Sequence, residues 1–415
     1  MIKRTNIGKT IIKSIIITIL FSLIDIYAQS YDQELFNYIS PKPNSKNNSV
    51  SNNIIISVNR DFNIASVHSN SLIDVNGKIG GNITGRTVVK QRTILFIPDH
   101  NFVPGDEIKV NFSGLGRLFG DFFSQNSFTF SVKENFNLLT VDVIDKIYGN
   151  EIGIINNSET FTDSLPEAYP QISIEKYEDP AEGKLFFGVF GATLNPSLLI
   201  TENTTNPMFY LETQSVPTDF KKQPNGWLTY FDSGMKTFYA LNNKYDLVDS
   251  FYCGNGFETD LHELLLLSNN HYYLLGIDPQ IIDMSELVEG GKEDATVIGF
   301  VIQELDENKN VIFQWRSLDY ISVLDAADDI DLTSQVIDYI HTNSICVDFD
   351  ENLIMSSRNL DEITKINRQT GEIIWRLGGK KNQFSFFNEQ FNFYRQHDVR
   401  RLQNGNILLF YDNFI

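Results

Sequence analysis

The sequence predicts an all-β protein, a β-propeller preceded by a smaller β-sandwich. Three observations carry this. Few stretches place apolar residues at helical spacing, whereas many short runs alternate apolar and polar. The chain is rich in residues that suit pleated sheets, with 32 Phe and 17 Tyr among 415 residues. A strand–turn–strand pattern also recurs along the C-terminal half. The length allows two or three domains and a substantial core.

The N-terminus reads "MIKRTNIGKTIIKSIIITILFSLIDIYAQS". Lys3, Arg4, Lys9 and Lys13 form a basic lead, Ile15 to Leu23 an apolar core, and "IYA" a small-residue cleavage site at Ala28. Residues 1–28 therefore read as a secretion signal, with a retained membrane anchor as the alternative. That places the mature protein outside the cytoplasm, in the periplasm, on the cell surface or secreted. No cysteine follows the site, which disfavours a lipoprotein, and no later stretch is long enough to span a bilayer.

Residues 29–50 are polar and read as a linker. Residues 51–135 hold short β-rich runs, among them "TILFIPDHNFVPGDEIKVNFSG", two strands around a Pro-Gly-Asp turn. This stretch resembles the Ig-like β-sandwich domains of exported bacterial proteins. His68 and His100 within it read as surface residues. Residues 136–180 form a poorly patterned connecting segment.

From 181 to 415 the repeat emerges. "TDFKKQPNGWLTYFDS" (218–233), "LHELLLLSNNHYYLLG" (261–276), "IHTNSICVDFDENLIMSSR" (340–358) and "QHDVRRLQNGNILLFYDN" (396–413) each give a polar lead, a strand, a tight turn and a second strand. The first three are each followed by another hairpin, and two of these end at Trp315 and Trp375. Two hairpins per unit make a four-stranded propeller blade. Residues 184–214 read as an earlier blade. The last unit stops after one hairpin, so the expectation is a ring lacking its closing strands.

The formal net charge of -20 argues against nucleic acid as a partner and requires any anion site to gather its positive groups locally. Cys253 and Cys346 are compatible with a disulfide or with two buried thiols, and they form no metal motif. Aligning the four hairpins puts Thr218, His262, His341 and His397 at one lead position, so three of the six histidines fall in register. In a propeller the innermost strands line the central channel, so these imidazoles are expected to converge. His271 falls in a turn and reads as structural. Asn343 lies two residues from His341, hence on the same strand face, and offers amide donors. Arg358 ends the hairpin that His341 opens, and its fork of donors suits a sulfate or phosphate. Together they make a donor-rich oxyanion pocket. Zinc is the rival reading, since three His form a catalytic ligand set. It is weakened by the cationic Arg358 and by the lack of any carboxylate clearly placed to orient each ring.

"GFETDLHELLLL", "YIHTNSICVD", "SSRNLDEITKINRQTGEIIWRLGG" and "QHDVRRLQNGNILLFYDN" resemble the PAPS-independent aryl-sulfate sulfotransferases of bacteria. The resemblance implies a six-bladed β-propeller, here C-terminally truncated. It implies ping-pong transfer of a sulfuryl group from a phenolic sulfate to a phenolic acceptor. His397 matches the nucleophile that becomes a sulfohistidine; His262 and His341 match the acid/base and stabilising residues. Asn343 and Arg358 match the groups that grip the sulfuryl oxygens. Neither PAPS nor a metal is needed as cofactor. The alternatives are a non-catalytic extracellular binding module and a metal-dependent propeller hydrolase; a homodimer stays open.

Overall fold

The computed structural model describes residues 35–59, 72–112, 114–115, 127–134, 169–176, 178–191, 194–387 and 393–411. The secretion signal, His68 and most of the connecting segment lie outside them. Among the described residues no helix is long and apolar enough to cross a membrane.

Among the described residues the N-terminal unit has eight strands: β1 (Phe36–Ser40), β2 (Ile54–Val58), β3 (Asp74–Gly77), β4 (Gly81–Asn82), β5 (Gly85–Lys90), β6 (Thr93–Pro98), β7 (Glu107–Asn111) and β8 (Ser127–Ser131). They form two antiparallel sheets, ordered β1-β2-β6-β5 and β4-β3-β7-β8. In β7, "EIKVN" alternates exposed and buried, so Ile108 and Val110 point inward. There they meet Ile54, Ile56 and Phe96 of the first sheet in one core. His100 is exposed, as expected.

One boundary needs correction. Residues 36–50, read as linker, are built into the sheet and its core: β1 pairs with β2, and Phe36, Ile39 and Val50 are buried. Strict alternation would put Phe36 and Tyr38 on one face, but a register shift between them turns them apart. Phe36 packs in the sandwich core, whereas Tyr38 joins the core of the C-terminal sheets. Tyr38 stacks on Phe313 at 5.0 Å, and its hydroxyl donates to the Gln314 carbonyl and accepts from the Gln314 amide. Lys46 and Asn48 accept from the buried Arg316, which pairs with Asp278 at 2.9 Å. Within the polar-looking segment, Asn48 is buried against Arg316, whereas Asn44 and Lys46 are exposed.

The C-terminal region supplies β9 (Lys184–Val189), β10 (Ser197–Glu202) and β11 (Pro207–Glu212), a three-stranded sheet. Three sheets follow in chain order, of four, five and four strands. They are β12 (Pro217–Lys222), β13 (Leu228–Asp232), β14 (Thr237–Leu241) and β15 (Leu247–Phe251); then β16 (Glu258–Leu266), β17 (Tyr272–Ile282), β18 (Ala295–Leu305) and β19 (Val311–Arg316), with β20 (Val336–Ile337) parallel to β18. The third holds β21 (Thr342–Val347), β22 (Leu353–Ser357), β23 (Glu362–Ile366) and β24 (Ile373–Gly378). A last pair, β25 (His397–Arg401) and β26 (Ile407–Phe410), ends the described chain.

Apart from β20, consecutive strands within each of these sheets are neighbours, the connectivity of a propeller blade. The first strands touch one another in series, β12 to β16, β16 to β21 and β21 to β25. The turn residues behave as their chemistry requires: Gly226 and Gly405 take φ of 89° and 88° in the "NG" turns. Trp315 is buried, stacks on Tyr320 at 5.2 Å, and donates its indole N–H to Gly371 O at 2.9 Å. That bond ties one sheet to the next. Cys253 and Cys346 are free, buried and in separate core clusters, so the disulfide option falls away.

Candidate active site

All four inner strands are irregular at the same place. Register shifts fall between Thr218 and Lys221, Thr259 and Leu264, Thr342 and Ser344, and His397 and Arg400. A bulge adds a residue, bends the strand and re-aims the side chain beside it. Here the bend delivers the lead residue of each hairpin to the shared centre. Asp219, His341 and Asp398 carry the strain as left-handed backbone, with φ of 47°, 46° and 57°.

The three aligned histidines meet. Ring centroids lie 5.2 Å apart for His262 and His341, 6.2 Å for His262 and His397, and 6.1 Å for His341 and His397. One ring nitrogen from each falls within 4.8 Å of the others. Every Nδ1 is held: by Asp260 Oδ1 at 2.8 Å, by Asp338 Oδ2 at 2.6 Å, and by the Arg395 carbonyl at 3.0 Å. A carbonyl can only accept, so His397 Nδ1 carries the proton and Nε2 keeps the lone pair. His271 sits apart from this group, bonded to Glu304 at 2.9 Å.

This corrects in part the expectation that no carboxylate is clearly placed to orient each ring. Asp260 and Asp338 do so for two of them. The signal was in the sequence, as Asp-Leu-His at 260–262 and Asp-Tyr-Ile-His at 338–341. It was unreadable without knowing that the chain bends there. Thr218, the fourth lead residue, donates its hydroxyl to Leu261 O at 3.2 Å, beside His262.

The electrostatics separate the imidazoles. Burial resists a charge on His262, but the Asp260 carboxylate, with Asp219 and Asp338 behind it, outweighs this and raises its pKa above the usual value. Burial lowers the pKa of His397; the Arg395 carbonyl opposes, and His262, His341 and Arg358 push it further down. His397 is thus kept neutral while His262 is favoured as the cation.

Arg358 follows β22 in a short turn whose backbone is clipped to the His341 segment, Arg358 N donating to His341 O at 3.0 Å. Its guanidinium bonds Asn359 Oδ1 at 2.8 Å and makes no ion pair among the described residues. Asn343 differs from the regular-strand reading because the bulge intervenes. It is buried, and its amide donates to Gln396 O at 2.8 Å, holding the residue just before His397.

A charged layer missed by sequence reading surrounds this centre. Asp219 pairs with Lys221 at 2.8 Å, Lys221 also pairs with Glu263, and Arg400 bridges Glu263 at 2.7 Å and Asp398 at 2.6 Å. Burial pushes Asp219 up to about 7, with Lys221 opposing and Glu263 adding. These residues sit in strands that read only as alternating, so their meeting across three sheets left no local trace.

A family model described as arylsulfotransferase (ASST) matches residues 208–414. The chain belongs to the arylsulfotransferase family. All five expected site residues lie inside the matched arylsulfotransferase region. No curated protein matches the chain. A Bacteroides caccae structure of unknown function is similar at 12% identity and a TM-score of 0.33, covering 55% of this chain and 65% of that one. A virginiamycin B lyase from Staphylococcus aureus is similar at 12% identity and a TM-score of 0.29, covering 56% and 68%.

The three-histidine centre also fits a divalent transition metal by donor chemistry. Three imidazoles with anchored Nδ1 atoms are a recognised ligand set.

Proposed function

We propose that the chain is a PAPS-independent aryl-sulfate sulfotransferase working by a ping-pong route. His397 Nε2 attacks the sulfur of a phenolic sulfate, the S–N bond forms and the S–O(aryl) bond breaks. The leaving phenolate takes a proton from His262 or His341, and the sulfuryl group rests on His397. An acceptor phenol then gives its proton back to the same histidine, its oxygen attacks sulfur, and His397 is released neutral. Arg358 faces the negative charge spread over the sulfuryl oxygens, while Asn343 keeps the His397 segment in place and offers its second amide hydrogen.

The observation that carries this reading is the division of labour among the rings. His397, bonded through Nδ1 to a carbonyl, is a neutral nucleophile, while His262, bonded to a carboxylate, is primed as an acid. The test is an intact-mass spectrum after mixing with an aryl sulfate and no acceptor. The expected result is a gain of one sulfuryl group, lost on adding phenol and absent in His397→Ala.

A second reading is favoured by the ring geometry: His262, His341 and His397 would hold a zinc-like ion that polarises an ester for hydrolysis. Stoichiometric metal in purified protein, with activity lost to chelator, would favour it over the sulfohistidine. Outside the cytoplasm, the reading of the N-terminus, is where we place the enzyme.

A further inference from the structure

The three imidazoles sit on or just before the first strands of three different sheets, β16, β21 and β25. Among the described residues no backbone ladder joins those sheets. Each Nδ1 anchor comes from the ring's own stretch of chain: Asp260 is two residues from His262, Asp338 three from His341, and Arg395 two from His397. Such an anchor fixes how a ring is turned. It does not fix how far that ring stands from a ring on another sheet, which depends on ties across the sheets. Between β21 and β25, Asn343 donates to Gln396 O and Ser344 Oγ accepts from Val399 N, both at 2.8 Å.

Between β16 and β25 runs a buried ion pair. Glu263, next in the chain to His262, is 1% exposed and divides its carboxylate between two cations. Oε1 pairs with Lys221 of β12, and Oε2 accepts from Arg400 Nη1 at 2.7 Å. The same Nη1 donates to Ile345 O at 3.2 Å and to Val399 O at 3.1 Å. Nη2 pairs with Asp398, the neighbour of His397, at 2.6 Å. One guanidinium thus meets groups from β16, β21 and β25. Burial works against the charge on Arg400, but Glu263 and Asp398 outweigh it and raise its pKa, so the cation persists.

We propose that Glu263 and Arg400 form a strut that sets the spacing of His262 from His397, so that the acid meets the phenol oxygen while the nucleophile meets sulfur. They are positioning residues and act through the two imidazoles. The inference rests on the sulfuryl-transfer reading and assigns proton donation to His262. An acid must stand within hydrogen-bond reach of the oxygen it protonates. A displacement of about 1 Å costs on the order of a hundredfold in rate. Phenolate needs that proton to leave, whereas 4-nitrophenolate, whose charge spreads into the nitro group, leaves largely without it. Loss of the strut should therefore appear as a stronger dependence on the leaving group. A general loss of fold or of binding would slow both donors alike.

The experiment measures single-turnover release of the phenol from phenyl sulfate and from 4-nitrophenyl sulfate. It uses the full chain, its Arg400→Lys and Glu263→Gln variants, and the double variant. Arg400→Lys keeps the charge but loses the fork that serves Glu263 and Asp398 together. Glu263→Gln leaves Lys221 and Arg400 without their shared anion, so if it does not fold, Arg400→Lys decides alone. The expected result is a ratio of the 4-nitrophenyl to the phenyl rate that rises at least about tenfold in each single variant. The double variant should be no worse than the worse single one, because both changes break one contact. An unchanged ratio in Arg400→Lys overturns the proposal, and so do single effects that multiply in the double variant. In that case a sulfuryl gain on the wild type, read by intact mass, leaves the transfer reading standing. No sulfuryl gain on the wild type removes the transfer reading, and this role with it.

Discussion

The sheet β12–β15 and the three sheets after it bulge at the same place on their first strand. Only the later three carry an imidazole there; β12 carries Thr218. The bulge aims a side chain at the centre whatever that side chain is, and the residue supplies the chemistry. Thr218 spends its hydroxyl on Leu261 O, next to His262. The imidazoles differ among themselves by what holds Nδ1, a carboxylate for His262 and His341 and a carbonyl for His397.

The largest effect should come from His397→Ala, which removes the proposed nucleophile while its bulge remains. Sulfuryl transfer should drop by about a thousandfold or more, with thermal unfolding little changed. Arg358→Lys should follow, at roughly a hundredfold in kcat/KM, because an ammonium cannot reproduce the planar fork; turnover of aryl sulfate checks it.

The comparison of Nδ1 partners sharpens into a pH profile. On the proposed route, transfer needs His397 neutral and His262 protonated. A lowered pKa on His397 places the acid limb of kcat/KM below the ordinary imidazole value of 6.5. A raised pKa on His262 places the alkaline limb above 6.5, so a plateau is expected between them. Asp260→Asn removes the charge that raises His262, and the alkaline limb should move to lower pH. A profile with a single limb, or limbs in the reverse order, would sink the division of labour.

Thr218→Val should do least. It breaks one hydrogen bond, worth about 1 kcal/mol of stability, and should change turnover by less than about threefold. A large loss of activity would mean that the β12 bulge belongs to the chemistry as well as to the frame.

Much of this arrangement was legible in order of residues. The hairpins at 218–233, 261–276, 340–358 and 396–413 appear where alternation and the "NG", "NN" and "EN" turns put them. The register of His262, His341 and His397 followed from aligning those hairpins, because equivalent positions in successive blades converge on one axis. Reading failed where the period of two failed. At Phe36–Tyr38 a bulge sends two residues of one parity to opposite cores. At Thr342–Ser344 another keeps Asn343 from following His341 by simple alternation.

The sequence alone therefore determined the fold class, the repeat, and which imidazoles would meet, since each depends on local pattern repeated along the chain. The tertiary structure decided what each imidazole is bonded to, and which charges gather around Lys221 and Arg400. Those facts depend on contacts between residues of different strands and sheets. Electrostatics and hydrogen bonding are set by distance in space, and no spacing along the chain encodes them.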